Sequence, residues 1–232
     1  MSARRIGTRE EWREARLELL EAEKELTRRS DELARRRAEL PWVPVQETYH
    51  FEGADGPLSL PDLFAGRSQL IAHHVMFPGC PSCAGFVDGL DAAAAHLAGN
   101  DVTLACVCRS PIGELSAFRD RMGWTIPFYS CPDGRFQYDH GTSFTDEQVA
   151  AGPEFNFRQL PPLPPDSGFP RDLGGLTCFA MEGGRVFHTY STYARGVDAS
   201  WTMWQLLDRA PKGRPSQGFT LRLHDEYGTA DT

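Results

Sequence analysis

Residues 69–83, QLIAHHVMFPGCPSC, decide the fold. The run QLIAHHVMF is apolar on both faces and too short for a capped helix, which indicates a buried strand of a parallel sheet. The motif GCPSC follows, and an alanine-rich helical segment, residues 84–97, comes after it. A strand, a tight turn with two cysteines and a helix thus succeed one another. Sheets of α/β proteins place their active sites at this end of a strand.

Strands and helices alternate in the sequence after this stretch. VTLACVC (102–108) is typical of a second buried strand, and TIPFYS (125–130) of a third. The segment between them has Ser110 as a predicted N-cap, Pro111 at the first helical position and Gly123 as a stop, which predicts a helix.

A hairpin and a last helix complete the predicted domain. Residues 176–190 form a β-hairpin that turns at Gly183-Gly184, and residues 197–210 form the helix. The stretch that precedes the hairpin is polar, proline-rich and irregular. This order of elements predicts the α/β class, with a central mixed sheet flanked by helices.

Composition limits the classes of function. The chain has 232 residues, a formal net charge of −8 at pH 7 and 41% hydrophobic residues. The negative charge argues against a nucleic-acid partner. No apolar run approaches the length that spans a bilayer, and the N-terminus lacks the apolar segment of a secretory signal. We therefore expect a cytoplasmic protein without a membrane partner, in which cysteines are buried, metal-bound or catalytic.

The first forty residues predict a long helix, because no glycine or proline interrupts residues 8–40. Apolar residues repeat every seven positions along it: Trp12, Leu19, Leu26, Leu33 and Leu40. One narrow stripe fits a helix that packs on the domain, and it also fits a coiled-coil arm in a homodimer. The predicted organisation is an N-terminal helical extension (1–40), an α/β domain (41–210) and a C-terminal tail (211–232).

Cys80 and Cys83 are the candidate catalytic residues. A helix N-terminus offers unpaired N–H groups and partial positive charge, and both stabilise a thiolate. In a Cys-x-x-Cys motif at such a terminus, Cys80 would attack a disulfide and Cys83 would resolve the mixed disulfide. This pattern predicts a thiol–disulfide oxidoreductase that acts on a thiol or disulfide substrate and needs no cofactor.

The chain is similar to the thioredoxin superfamily and, within it, to an uncharacterised bacterial family, a domain of unknown function of the DUF899 type. The resemblance covers roughly residues 10–210. Its matching stretches are LPWVPV, GPLSLPDLFAGRSQLI, GCPSC, RMGWTIPFYS and VFHTYSTYARGVD, with the N-terminal helix. The resemblance implies a thioredoxin-like fold for residues 41–210 and a redox function.

Two departures from related patterns stand in the sequence. Thioredoxins place a cis-proline before the hairpin, where this chain has Leu176 or Thr177. Peroxiredoxins carry Pro-x-x-x-Thr/Ser-x-x-Cys, and neither Cys80 nor Cys83 ends such a pattern. A conventional peroxidatic site is therefore not expected.

A metal site is an alternative use of the same cysteines. Alternation along the strand sends His73 and His74 to opposite faces. Cys80 and Cys83 with His74 would suit a soft metal such as copper or zinc. The other four cysteines are predicted to be buried and inert, or to form an extra redox pair or resolving thiols: Cys106, Cys108, Cys131 and Cys178.

A second alternative is a specialised enzyme that binds a small organic molecule. The stretch FHTYSTYARGVDASWTMW (187–204) concentrates aromatic and basic side chains. They are expected to form a pocket beside the dithiol, and its candidate residues are Thr177, His188, Tyr193 and Arg195. Arg195 would bind an anionic substrate, or it would pair with Asp198 outside any pocket.

Overall fold

A computed structural model describes residues 5–164, 166–215 and 221–228. The chain divides into two compact units, Met1–Pro41 and Trp42–Thr232. The first unit holds helix α1, Arg9–Ala38, which begins at a capping box between Thr8 and Glu11. No residue of α1 is buried, and its apolar row is exposed. The coiled-coil homodimer stays a prediction.

The described residues of the second unit form ten strands and five α-helices. The strands are β1 Val43–Pro44, β2 His50–Gly53, β3 Gly56–Ser59, β4 Gln69–His74, β5 Val102–Cys108, β6 Phe128–Ser130, β7 Glu154–Phe155, β8 Arg158–Gln159, β9 Gly175–Glu182 and β10 Arg185–Tyr193. The helices are α2 Pro81–Ala98, α3 Ile112–Met122, α4 Arg135–Asp139, α5 Asp146–Ala151 and α6 Thr202–Leu207, with 3₁₀ turns at Pro61–Phe64, Ala194–Ser200 and His224–Glu226. Among the described helices, none has the length and apolarity to cross a membrane.

Eight strands form one mixed sheet in the order β1-β10-β9-β4-β5-β6-β2-β3. Strands β4, β5 and β6 are parallel, and β9 runs antiparallel to β4. The β4–α2–β5 unit thus lies beside the β9–β10 hairpin, with α6 following it. This is the α/β thioredoxin-like fold that the sequence predicts, extended by strands at both edges.

The central strand β4 separates two cores. Ile71 and Val75 face α2 and α3 and belong to the cluster that contains both cysteines of the motif. Leu70 and Ala72 belong to the cluster on the other face, which contains Phe136. Both faces of β4 are covered, which explains why its middle residues, Leu70, Ile71 and Ala72, are all apolar.

Several elements differ from their predicted extents. The third strand is only β6, because the Asp91 carboxylate of α2 accepts hydrogen bonds from the N–H groups of Thr125 and Ile126, which are then unavailable to the sheet. The residues directly after β2 form β3, its hairpin partner. The last helix splits into a 3₁₀ turn and the short α6. In the predicted tail, the described Leu223 is buried in the core that α2 and α3 cover.

The hydrogen bonds of Asp91 join α2 to the residues that precede β6, and their contribution to stability can be measured. Its Oδ1 accepts three hydrogen bonds, from Thr125 N (2.8 Å), Thr125 Oγ1 (3.0 Å) and Ile126 N (2.7 Å). We expect Asp91→Ala to lower the free energy of unfolding by about 2–4 kcal/mol, since it leaves partly buried amides without a charged acceptor. Urea denaturation measures this change. The exposed Glu182→Ala is the control, and equal stabilities of the two variants would contradict the assignment.

Candidate functional site

The turn before α2 places Cys80 at the helix N-terminus. The N–H of Cys80 donates to the carbonyl of Phe77 at 3.3 Å, with Pro78 and Gly79 between them. Gly79 has a φ of 84°, a conformation that disfavours other residues, and Pro followed by Gly in this position is typical of a type II turn. Cys80 is then the N-cap of α2, and its carbonyl accepts from the N–H of Ala84 at 2.9 Å.

Backbone amides surround both sulfur atoms. The N–H of Cys83 donates to Cys80 Sγ at 3.3 Å, so the thiol fills the role that a serine or aspartate usually has at an N-cap. The N–H of Met76, just beyond β4, donates to Cys83 Sγ at 3.4 Å. Both thiols are buried, with 3% and 4% of their surfaces exposed. Each sulfur therefore has a donor ready for a thiolate.

The two thiols differ in acidity. The thiol of Cys83 and, more weakly, the amides of Cys83 and Ser82 stabilise the Cys80 thiolate, and they lower its pKa to about 7 against the opposing effect of burial. The pKa of Cys83 is raised well above its ordinary value by the interaction with Cys80 and by burial. Cys80 is consequently the thiol that ionises first and acts as the nucleophile.

The remaining cysteines lack this activation. All six cysteines of the chain are free thiols. Burial raises the pKa of Cys106, Cys108, Cys131 and Cys178, to about 12 for Cys131 and about 11 for Cys178. Cys108 Sγ donates to the carbonyl of Met76 at 3.7 Å, and the N–H of the same residue donates to Cys83 Sγ. Cys178 is half-buried and the other three thiols are buried, and their raised pKa values fit unreactive thiols.

The structure does not bring His74 to the two cysteines. His74 lies on the other face of β4, where its Nε2 is 2.9 Å from Thr177 Oγ1 and its Nδ1 is 3.0 Å from Thr142 Oγ1. Both ring nitrogens are therefore engaged. Among the residues that the structure describes, no group of three or more His, Cys, Asp or Glu side chains could hold a metal.

His73 shares the dithiol's face of the sheet. Its Nδ1 is 3.1 Å from the Gly175 carbonyl, and its ring packs against Phe86 of α2. Burial lowers the pKa of His73 to about 4, against a smaller opposing effect of the Gly175 carbonyl. Its imidazole is therefore neutral at physiological pH and supplies no charge to the thiols.

Three of the four predicted pocket residues lie on the face opposite α2. Thr177 is fully buried, and Ser191 joins it to His188: Ser191 Oγ donates to Thr177 Oγ1 at 3.2 Å and lies 2.8 Å from His188 Nε2. His188 and Tyr193 line a cavity of about 740 Å³. Arg195 lies apart from it, with 87% of its side chain exposed and its Nε 3.2 Å from Asp198 Oδ2.

Two further residues of that cavity are not predicted by the sequence patterns. His140 and Tyr49 line it together with His188. Tyr49 precedes β2, and His140 follows α4 in the stretch predicted to be irregular. No local pattern marks either residue, because long separations in sequence bring them together. By contrast, the Pro78-Gly79 pair in the sequence indicates the Phe77–Cys80 turn.

The fold and the dithiol at the start of α2 define a thioredoxin-like protein. The chain belongs to the family described as bacterial protein of unknown function (DUF899), whose sequence model matches residues 1–227. No curated protein matches the chain.

Solved structures with similar chain traces include peroxiredoxins. Peroxidoxin BcpB from Mycobacterium tuberculosis is 11% identical, with 72% of this chain and 96% of that chain covered and a TM-score of 0.47. Peroxiredoxin Q from Xanthomonas campestris is 13% identical (70% and 97% covered, TM-score 0.43). A hypothetical protein from Sinorhizobium meliloti is 12% identical (80% and 80% covered, TM-score 0.45). Side-chain roles do not transfer at these identities, so the chemistry of this chain follows from its own residues.

The acidity of Cys80 can be measured by its rate of alkylation. Since iodoacetamide reacts with the thiolate, we expect half-maximal reactivity of Cys80 near pH 7. Cys83→Ala removes the thiol that contributes most to this acidity, so the midpoint should move to higher pH. Mass spectrometry of the Cys80 peptide reads the rate.

Cys178→Ala is the matched control, because Cys178 is remote from the motif in the β9–β10 hairpin and should not alter the Cys80 midpoint. A Cys80 midpoint at or above about 8.5, the value of a free cysteine, would contradict the assignment.

Proposed function

We propose that this protein is a thiol–disulfide oxidoreductase that uses Cys80 and Cys83. The observation that carries the proposal is the hydrogen bond from the Cys83 N–H to Cys80 Sγ at the N-terminus of α2. It supports a nucleophilic thiolate at Cys80 beside a second thiol that remains protonated. A pair of thiols with opposite acidities is the arrangement that two-step exchange requires.

In the first step, the Cys80 thiolate attacks one sulfur of a substrate disulfide. A bond forms between Cys80 Sγ and that sulfur, the substrate S–S bond breaks, and the other substrate sulfur leaves as a thiolate that takes up a proton. The negative charge of Cys80 disappears in this step. Because Cys80 was the main cause of the raised pKa of Cys83, the Cys83 thiol then becomes more acidic.

In the second step, Cys83 loses its proton and attacks Cys80 Sγ. The N–H of Met76 stabilises the Cys83 thiolate. The mixed disulfide breaks, the second substrate thiolate leaves and is protonated, and a Cys80–Cys83 disulfide remains. The substrate is reduced by two electrons, and the protein is oxidised by two. A dithiol reductant then restores both thiols by the same exchange.

Serine variants separate the two roles. We expect Cys80→Ser to abolish reduction of hydroxyethyl disulfide in the presence of dithiothreitol, at least 100-fold below the wild type, because no nucleophile remains. Cys83→Ser should retain the first step and accumulate a mixed disulfide on Cys80, which mass spectrometry detects. Cys131→Ser, a buried cysteine on the other face of the sheet, is the control. Undiminished turnover by Cys80→Ser would refute the proposal.

A further inference from the structure

The second unit contains a cavity that the dithiol chemistry does not use. Its volume of about 740 Å³ lies within the range of small-molecule sites. The cavity lies on the sheet face opposite α2, where residues of β1, β10 and the segment 138–157 form its walls. Neither Cys80 nor Cys83 lines it.

The charge of the lining is negative. Three carboxylates contribute to it, those of Glu47, Asp139 and Glu154, and no lysine or arginine occurs among the described residues that form the walls. Tyr49 Oη donates to Asp139 Oδ2 at 3.0 Å, which orients this carboxylate. The nearest basic group to Asp139 is Arg135 Nε, 3.8 Å from its Oδ2 and outside the lining. A cation in the cavity would be attracted, and an anion repelled.

Aromatic rings provide the apolar surface of the walls. Among the lining residues are Phe144, Phe157 and three tyrosines, Tyr49, Tyr138 and Tyr193. Phe157 forms the turn of the β7–β8 hairpin, where its φ is 60°, and it leaves 72% of its surface exposed. Its ring centroid lies 5.7 Å from that of Tyr193. The face of an aromatic ring attracts an ammonium group, which adds to the effect of the carboxylates.

One buried polar atom of the lining has no partner. His140 Nε2 is shielded from solvent and makes no hydrogen bond. The neighbouring polar groups are engaged, since His188 Nε2 is 2.8 Å from Ser191 Oγ and Tyr193 Oη donates to the His140 carbonyl at 2.7 Å. Because this atom is shielded, a ligand in the cavity does not contact it, and the His140 ring packs against Phe136 and Phe179 instead.

Burial keeps the imidazoles of the cavity neutral. It lowers the pKa of His140 to about 3, with a smaller contribution from His188, and it lowers the pKa of His188 as well. At physiological pH neither ring carries a positive charge that would oppose a bound cation.

We propose that this cavity binds a small organic amine in its protonated form. The ammonium group would lie among the carboxylates and aromatic rings, and the apolar body would lie against the rings. The proposal is independent of the dithiol function, because none of these residues belongs to the dithiol site.

Four matched probes test the ligand class on the full chain by isothermal titration calorimetry at low salt. Tyramine carries the ammonium, the ring and a hydroxyl; tyrosol replaces the ammonium with a neutral hydroxyl; 4-hydroxyphenylacetate is the anion; phenethylamine lacks the phenol. We expect tyramine to bind roughly tenfold or more tightly than tyrosol, because of the carboxylates, and the anion to bind most weakly. Phenethylamine should also bind more tightly than tyrosol, because it keeps the ammonium group that the carboxylates attract.

Variants of the lining residues test whether the amine binds in the cavity. The triple variant Glu47→Gln, Asp139→Asn and Glu154→Gln should lose tyramine affinity by roughly tenfold and leave tyrosol affinity unchanged. Glu182→Gln, a carboxylate at the far end of β9, is the control. Phe157→Gly, which suits the positive φ, should weaken tyramine binding several-fold and serves as a second variant if the triple variant fails to fold. Circular dichroism verifies folding of each.

Three outcomes would overturn the proposal. One is tighter or equal binding of the anion, another is unchanged tyramine affinity in the folded triple variant or in Phe157→Gly, and the third is the absence of saturable binding of both amines at millimolar concentration. Loss of disulfide reductase activity in Cys80→Ser has no bearing on these measurements, so the two proposals fail separately.

Discussion

The hydrogen bond from the Cys83 amide to Cys80 Sγ is the interaction on which the reactive site depends. It exists because three structural conditions coincide. Strand β4 ends at the carboxyl edge of the sheet, the Phe77–Cys80 turn reverses the chain, and α2 begins with Cys80 as its N-cap. The helix then presents unpaired N–H groups to sulfur. Burial alone would raise the pKa of both thiols; at Cys80 the Cys83 thiol and, more weakly, the amides of Cys83 and Ser82 outweigh burial and lower the pKa.

The period of a β-strand explains why the molecule has two separate candidate sites. His73 and His74 are adjacent in β4, yet one packs against Phe86 under α2 and the other against Phe136 on the opposite face. Because successive side chains of a strand point to opposite faces, the two adjacent histidines lie in different cores. The dithiol lies on the face of the sheet that α2 covers, and the cavity with His140 and His188 lies on the opposite face. Nothing in this geometry requires the two to share a ligand.

The sequence predicts the elements that local patterns encode. The apolar run of β4, the cysteine motif and the Gly183-Gly184 turn each have a short-range signature, and the structure contains all of them. The sequence does not predict where β6 begins, because the distant Asp91 side chain accepts hydrogen bonds from the N–H groups of Thr125 and Ile126. Nor does it predict that His188 faces His140, because the stretch between β6 and β9 has no periodic pattern and its packing depends on contacts far apart in the chain.

The most direct test of the central claim is the redox equilibrium of the two cysteines. The protein would be equilibrated in glutathione buffers of graded potential, and its thiols would be alkylated and assigned by mass spectrometry. A reversible disulfide between Cys80 and Cys83, with the other four cysteines reduced throughout, is the predicted result. Two results would contradict the account. One is a Cys80–Cys83 pair that remains reduced in the most oxidising buffer, and the other is a disulfide between either of these cysteines and Cys108.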